Sequence, residues 1–214
     1  PIGVPLEVIS TAEGPQSPYT TLATPPCFVP GTLIKTPAGA VDAVELRAGD
    51  MVETMDDGPQ AIRWIGWTNV PSDVLQDHER FRPIRIARNA FGHDRPRREM
   101  LVSPQHRILV RDWRAEMYFG VPEILVPAVK LCNGTTVQRV HDLAPVTYIH
   151  MLFDRHQIVY SDGLPSESFF PGADDHTTMA QEIRALFPGE FGRLSKEPMA
   201  RACMSDKSAR SLAP

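Results

Sequence analysis

A mostly β fold is what the sequence predicts, on three observations. Twenty-one of the 214 residues are proline, about twice ordinary usage, and a residue without an amide hydrogen shortens helices and multiplies turns. From Thr32 to Trp67, apolar and β-branched runs of about five residues recur, each closed by a Gly-, Pro- or Asp-containing turn. A 3.6-residue period sets in only after residue 177. The length of 214 residues suits one domain of roughly 150 residues with flanks.

Residues 1–26 are proline-rich, polar and without period, which reads as a linker or the end of an upstream partner. Strands are expected over Thr32–Thr36, Ala40–Leu46, Met51–Met55 and Ala61–Trp67, separated by turns at Pro37-Ala38-Gly39, Ala48-Gly49-Asp50 and Asp57-Gly58. Trp64 and Trp67 are expected in the core. The pattern weakens from Thr68 to Glu99, where Pro83–Arg88 reads as a strand and Asn89–Arg98 as a surface excursion. Met100–Val102 and Arg107–Arg111 flank a bend, Ser103-Pro104-Gln105-His106, which sets His106 at a strand edge. Cys132-Asn133-Gly134-Thr135 carries the Asn-Gly hairpin signal, with Cys132 structural beside it. Pro145–Phe153 and His156–Tyr160, broken at Asp154-Arg155 and closed by Asp162-Gly163, read as adjacent strands bearing His150 and His156. Thr178-x-x-Gln181 is a capping box, and Met179, Ile183 and Leu186 follow at helical spacing, so one short C-terminal helix is expected. Residues 188–214 read as a ragged polar tail in which Cys203 has no chemical role.

Composition narrows the function classes. A net charge of −4 offers no general attraction to nucleic acid or anionic membrane, and Arg95-Pro96-Arg97-Arg98 reads as a solvated loop without a partner. The three cysteines, Cys27, Cys132 and Cys203, form no CxxC pair and no regular framework. His150-x5-His156 lacks a third ligand at useful spacing, so neither a metal nor a cofactor is expected. No apolar run approaches the ~20 residues of a membrane helix, and Pro1-Ile2-Gly3-Val4 is not a signal-peptide start. The reading is therefore of a soluble piece, and the absent initiator Met marks it as a fragment whose compartment is unread.

Cys27 stands where Ala23-Thr24-Pro25-Pro26 gives way to the first strand-like run. A thiol at the first residue of a folded domain can reach back to the carbonyl carbon of the preceding residue, Pro26, and turn that amide into a thioester. Such a step needs a sulfur nucleophile, stabilisation of an oxyanion and a proton for the departing amine. An imidazole with an ordinary pKa near 6.5 can take and return that proton, which makes His106 the natural partner.

Four separated blocks then fall into a familiar order: Cys27-Phe28-Val29-Pro30-Gly31-Thr32-Leu33, Val44-Glu45-Leu46-Arg47-Ala48-Gly49-Asp50-Met51-Val52, Leu101-Val102-Ser103-Pro104-Gln105-His106-Arg107, and Phe153-Asp154-Arg155-His156-Gln157-Ile158-Val159. Together they resemble the Hint family, the self-processing module of hedgehog proteins and inteins, and most nearly its bacterial, non-splicing members. The resemblance spans residues 27–169, with residues 170–214 as a C-terminal extension. It implies a horseshoe-like, pseudo-twofold β fold and cleavage of the Pro26–Cys27 bond by an N-to-S acyl shift. The substrate would be the chain's own upstream polypeptide, and the acceptor water or a small nucleophile. Ser103-Pro104-Gln105-His106 occupies the place of the family's Thr-x-x-His, with Ser for Thr. His150 and His156 stand where inteins carry an Asp, Cys or His. Of these two, His156 is ranked first, because Asp154-Arg155-His156 falls at a strand-turn edge. Arg63–Asn69 contains no carboxylate, which argues against sterol transfer. Leu164–Phe169 replaces the terminal His-Asn of splicing members. The alternative is a Hint-fold structural or interaction module without turnover.

Overall fold

Short antiparallel strands build the molecule, and two prolonged ones carry its bend. The computed structural model describes residues 25–141, 144–171, 178–187, 191–194, 196, 198–204 and 212. The expected upstream linker up to residue 24 and the side chains of Thr178 and Met179 in the capping box lie outside the described residues. In chain order the strands are β1 (Leu33–Thr36), β2 (Gly39–Asp42), β3 (Met51–Thr54), β4 (Gly58–Ala61), β5 (Trp64–Val70), β6 (Ile84–Ile86) and β7 (Met100–Val102). They continue as β8 (Arg107–Val110), β9 (Ile124–Pro127), β10 (Val137–Arg139), β11 (Val146–Leu152), β12 (Ile158–Ser161) and β13 (Leu164–Glu167). Four short helices accompany them: α1 (Ser72–Asp77), α2 (Trp113–Phe119), α3 (Thr178–Leu186) and α4 (Phe191–Leu194).

The fold class is thus mostly β, with more helix than the single C-terminal one expected. The α2 helix had a legible signature. Asp112 accepts a hydrogen bond from the Arg114 backbone N–H at 2.9 Å, and Gly120 ends the helix with φ of 68°, the usual N-cap acceptor and left-handed stop.

The large sheet runs β2-β1-β12-β13-β8-β9, with β3 and β4 joined through β12. A three-stranded sheet runs β10-β6-β7, and β5 pairs with β11 over seven residues. The two strands around Ser103–His106 therefore belong to different sheets, β7 to the small one and β8 to the large. His150 and His156 are likewise divided. The β11 strand leaves to pair with β5, while β12 lies in the middle of the large sheet, so the expected adjacency of their strands is not what forms. At 133–134 the Asn-Gly pair closes a loop rather than a two-strand hairpin: Asn133 Oδ1 accepts from the backbone N–H groups of Thr135, Thr136 and Val137.

Phe28 is the hinge between layers. It bridges Val102 of β7 on one side and Ile149 of β11 on the other, and packs with Ile34, Leu46, Val52, Ile62, Met151 and Val159 in one apolar cluster. Trp64 is buried and Trp67 packs at the edge of that cluster. The described part of the tail is ordered rather than ragged. Leu125 of β9 donates its N–H to Ala202 O at 2.9 Å and accepts from Met204 N–H at 3.0 Å, while Met204 and Leu212 are buried in the core. Arg98 of the expected solvated loop donates to Asp162 Oδ1 at 2.8 Å and to Gly31 O at 2.6 Å, a structural tie.

Candidate active site

Cys27 enters the fold just before Phe28, whose isolated bridges to Val102 and Ile149 wedge the segment between β7 and β11. Its carbonyl accepts from Ser103 N–H at 3.0 Å, and Phe28 exchanges backbone hydrogen bonds with Ile149 at 2.9 and 2.8 Å. That pinning puts the Pro26–Cys27 amide under side chains from two sheets. The Cys27 N–H donates to Ser103 Oγ at 3.0 Å, and the Ser103 hydroxyl donates to Pro25 O at 2.8 Å. The Cys27 thiol also donates to Pro25 O, at 2.8 Å.

His150 lies on the other side. Its Nδ1 is 3.1 Å from Pro26 O. A carbonyl oxygen can only accept, so this contact is a hydrogen bond when Nδ1 carries the proton. The Cys27 sulfur is 3.2 Å from the same Nδ1 and 3.5 Å from Nε2, and Nε2 meets Thr68 Oγ1 at 3.3 Å. One ring nitrogen thus reaches both the Cys27 sulfur and the Pro26 carbonyl oxygen.

His106 shares the neighbourhood without a hydrogen bond. Among the described residues neither of its ring nitrogens has a partner, and its ring meets Phe28 edge-on with centroids 4.5 Å apart. His156 stands elsewhere: Nδ1 accepts from Ala200 N–H at 3.1 Å, and Nε2 lies 3.3 Å from Glu167 Oε2, within ion-pair range but not in hydrogen-bond alignment. Glu167 also accepts from Arg107, through the backbone N–H at 2.8 Å and the guanidinium at 2.9 Å. Of the residues singled out in the sequence, Cys27, Ser103, His150 and Pro26 come together directly. His106 borders them, and His156, ranked above His150 in the sequence, stands against Ala200 and Glu167 while His150 contacts Cys27 and Pro26. Thr68 is the contact that the sequence did not reveal; its only signal was its place in the strand facing His150.

Burial sets the protonation states. Cys27, Ser103, His106 and His150 are all at most 1% exposed. Desolvation pushes the Cys27 thiol well above its ordinary range, against the Ser103 hydrogen bond that lowers it. The same cause brings His106 down to about 4 and His150 down to about 3, so both imidazoles are neutral at pH 7 and able to act as bases. Among the described residues no group of three or more His, Cys, Asp or Glu could hold a metal ion, and no helix is long and apolar enough to cross a membrane.

Short strands folded over a pinned cysteine make this a mostly β domain of the Hint/intein-like fold, the fold of self-processing domains. The model described as Hint domain matches residues 26–173, more than half of the chain, and the chain belongs to that family. Similar solved structures include the bacterial intein-like domain from Clostridium thermocellum, at 17% identity and a TM-score of 0.44, covering 66% of this chain and 97% of that one. The gp41-1 intein is similar at 11% identity and TM-score 0.40 over 66% and 97% of the two chains. The MchDnaB-1 intein is similar at 12% and 0.43 over 65% and 98%. No curated protein matches the sequence.

Proposed function

We propose that this domain cleaves its own Pro26–Cys27 bond through an N-to-S acyl shift and does not splice. The supporting observation is the reach of His150 Nδ1 to both Cys27 Sγ, at 3.2 Å, and Pro26 O, at 3.1 Å. In the tautomer with Nδ1 bare, that nitrogen takes the thiol proton as sulfur attacks the Pro26 carbonyl carbon. The imidazolium so formed donates the same proton as a hydrogen bond to the oxyanion. Collapse breaks the carbon–nitrogen bond, and the Cys27 nitrogen, with Ser103 Oγ beside it at 3.0 Å, leaves as an amine with the proton that His150 took from sulfur, so the imidazole returns to its neutral form. His106, neutral and with both ring nitrogens unpaired among the described residues, can relay that proton, taking it on one ring nitrogen as the other releases its own. Water then adds hydroxyl to Pro26 and a proton to sulfur, releasing the upstream chain; a small nucleophile can take the place of water. Neither metal nor cofactor enters these steps. Splicing would require an asparagine near Leu164–Phe169, whereas the chain's asparagines are Asn69, Asn89 and Asn133.

A structural or interaction module without turnover is the second reading. It draws on the thiol's hydrogen bond to Pro25 O and on burial, which holds the thiol protonated, together with the ring of Pro26 before the scissile carbonyl. A chain tagged at both ends separates the two. Hydroxylamine or an added thiol should release residues 1–26 from the wild type and not from Cys27→Ala, with residues 164–214 still attached to the body. Equal survival of both chains would sink the cleavage reading, and a ligated product lacking residues 27–169 would sink the non-splicing part.

A further inference from the structure

The β5–β11 pairing sets Gly66 directly opposite His150 and Thr68 opposite Tyr148. Residues two apart on a strand share a face, so Thr68 is the diagonal neighbour of His150. The space over Gly66, where a Cβ would overlap the Trp64 ring, belongs to that indole, and the imidazole reaches Thr68, its Nε2 lying 3.3 Å from Thr68 Oγ1. The ring is otherwise held on its far side by Phe169, edge-on with centroids 5.8 Å apart. Thr68 is exposed, while His150 is 1% exposed. The hydroxyl therefore sits where the buried pair of Cys27 and His150 meets the surface.

The chemistry of that contact is unusual in being reversible. When Nδ1 holds the proton and donates to Pro26 O, Nε2 is bare and the Thr68 hydroxyl donates to it. When Nδ1 is bare and faces the thiol, Nε2 holds the proton and the same hydroxyl accepts. A hydroxyl can do both; a methyl in its place can do neither, and would leave the buried Nε2–H with only the Cys27 sulfur, at 3.5 Å, in the one tautomer that can act as base. We infer that Thr68 is a positioning residue for the acyl shift: it holds the His150 ring by Nε2 and keeps both of its tautomers available, acting through His150 without touching the reacting atoms. This rests on the cleavage reading, yet makes a claim about the ring that can be measured without cleavage.

Thr68→Val keeps the shape and the strand preference at an exposed position, so its folding, followed by melting, should match the wild type. In the 214-residue chain, Thr68→Val should slow hydroxylamine-trapped cleavage roughly tenfold, the worth of one hydrogen bond, whereas Thr68→Ser should stay within about threefold. In the uncleavable Cys27→Ala background, nitrogen-15 NMR of His150 should show Thr68→Val moving the ring toward a single tautomer with Nδ1 protonated, and Thr68→Ser restoring the wild-type signal. A wild type that cleaves with Thr68→Val at equal rate overturns the inference while leaving the cleavage reading intact. If the wild type does not cleave, the NMR comparison decides: an altered tautomer balance in Thr68→Val supports the positioning role, and an unchanged one overturns it.

Discussion

Three histidines of the same type end in three different conditions, and the difference is where their strands go. His150 faces the Pro26 carbonyl, His106 is buried against Phe28 with both ring nitrogens unpaired among the described residues, and His156 is fixed between Ala200 and Glu167. On this geometry His150→Ala should slow thioester formation by about 10² or more, the scale of a lost general base or oxyanion donor. His106→Ala should also slow it, whereas His156→Ala should leave the rate within a few-fold and lower the melting temperature, because it removes the acceptor of the Ala200 N–H and leaves a void beside buried Glu167. Trapping rates paired with melting curves test the order; a fast, well-folded His150→Ala would overturn it. The residue types were legible in the sequence, since Cys27 at the boundary and the Ser-x-x-His block are local patterns. The order of His150 and His156 was not, because it depends on β11 pairing with β5 while β12 joins the large sheet, a long-range choice that no local pattern records.

At the scale of elements, the Ser103–His106 bend and the tail show two kinds of legibility. Turn residues and short β runs forecast β1, β2, β3, β5 and the bend, because each is closed by its own local chemistry, whereas β4 (Gly58–Ala61) forms from residues that read as a turn and its exit. The tail did not read as structure, since its text is polar and its pairing partner, β9, lies more than seventy positions away. It is nonetheless held by a strand-like exchange with Leu125 and by Arg201, which reaches Asp56 at 2.7 Å and Glu123 at 2.5 Å. Two contributions compete for importance there. Arg201 is partly exposed, and such ion pairs are worth about 0–1 kcal/mol; Met204 is 5% exposed in the core, where truncation to Ala costs about 2–5 kcal/mol. Urea unfolding should therefore show Met204→Ala costing about 2 kcal/mol or more and Arg201→Ala about 1 or less. A larger loss from Arg201→Ala would mean that charge, not burial, seats the tail. Gly66 gives a sharper local case: a Cβ there would overlap the Trp64 ring, so Gly66→Ala should disturb the β5–β11 pair that carries His150.

For the molecule as a whole, keeping two imidazoles neutral in the interior ties stability to pH. Desolvation lowers His106 to about 4 and His150 to about 3, whereas an unfolded histidine titrates near 6.5. Around His106 the charge of Glu167 works against this, and Arg107 and His156 work with it; around His150 the hydrogen bond to Pro26 works against it, and His106 with it. Below pH 6.5 the unfolded chain binds protons at these positions that the folded chain refuses, so stability is full above that pH and falls as pH descends toward the folded values. Between pH 7 and 4.5 each histidine should remove about 2 kcal/mol, from the free-energy worth of a pKa unit. Urea midpoints across that window should drop steadily in the wild type, and His106→Gln, which cannot titrate, should flatten the slope by close to half. Ordinary carboxylates take up their protons chiefly below about pH 5, so the histidines carry the upper part of the slope, and the His106→Gln comparison separates them from carboxylates such as Glu123, which against the upward push of burial is held low by Arg201 and Arg111. A wild type equally stable at pH 7 and 4.5, or a His106→Gln slope as steep as the wild type's, would show that these rings are not held neutral in the folded interior.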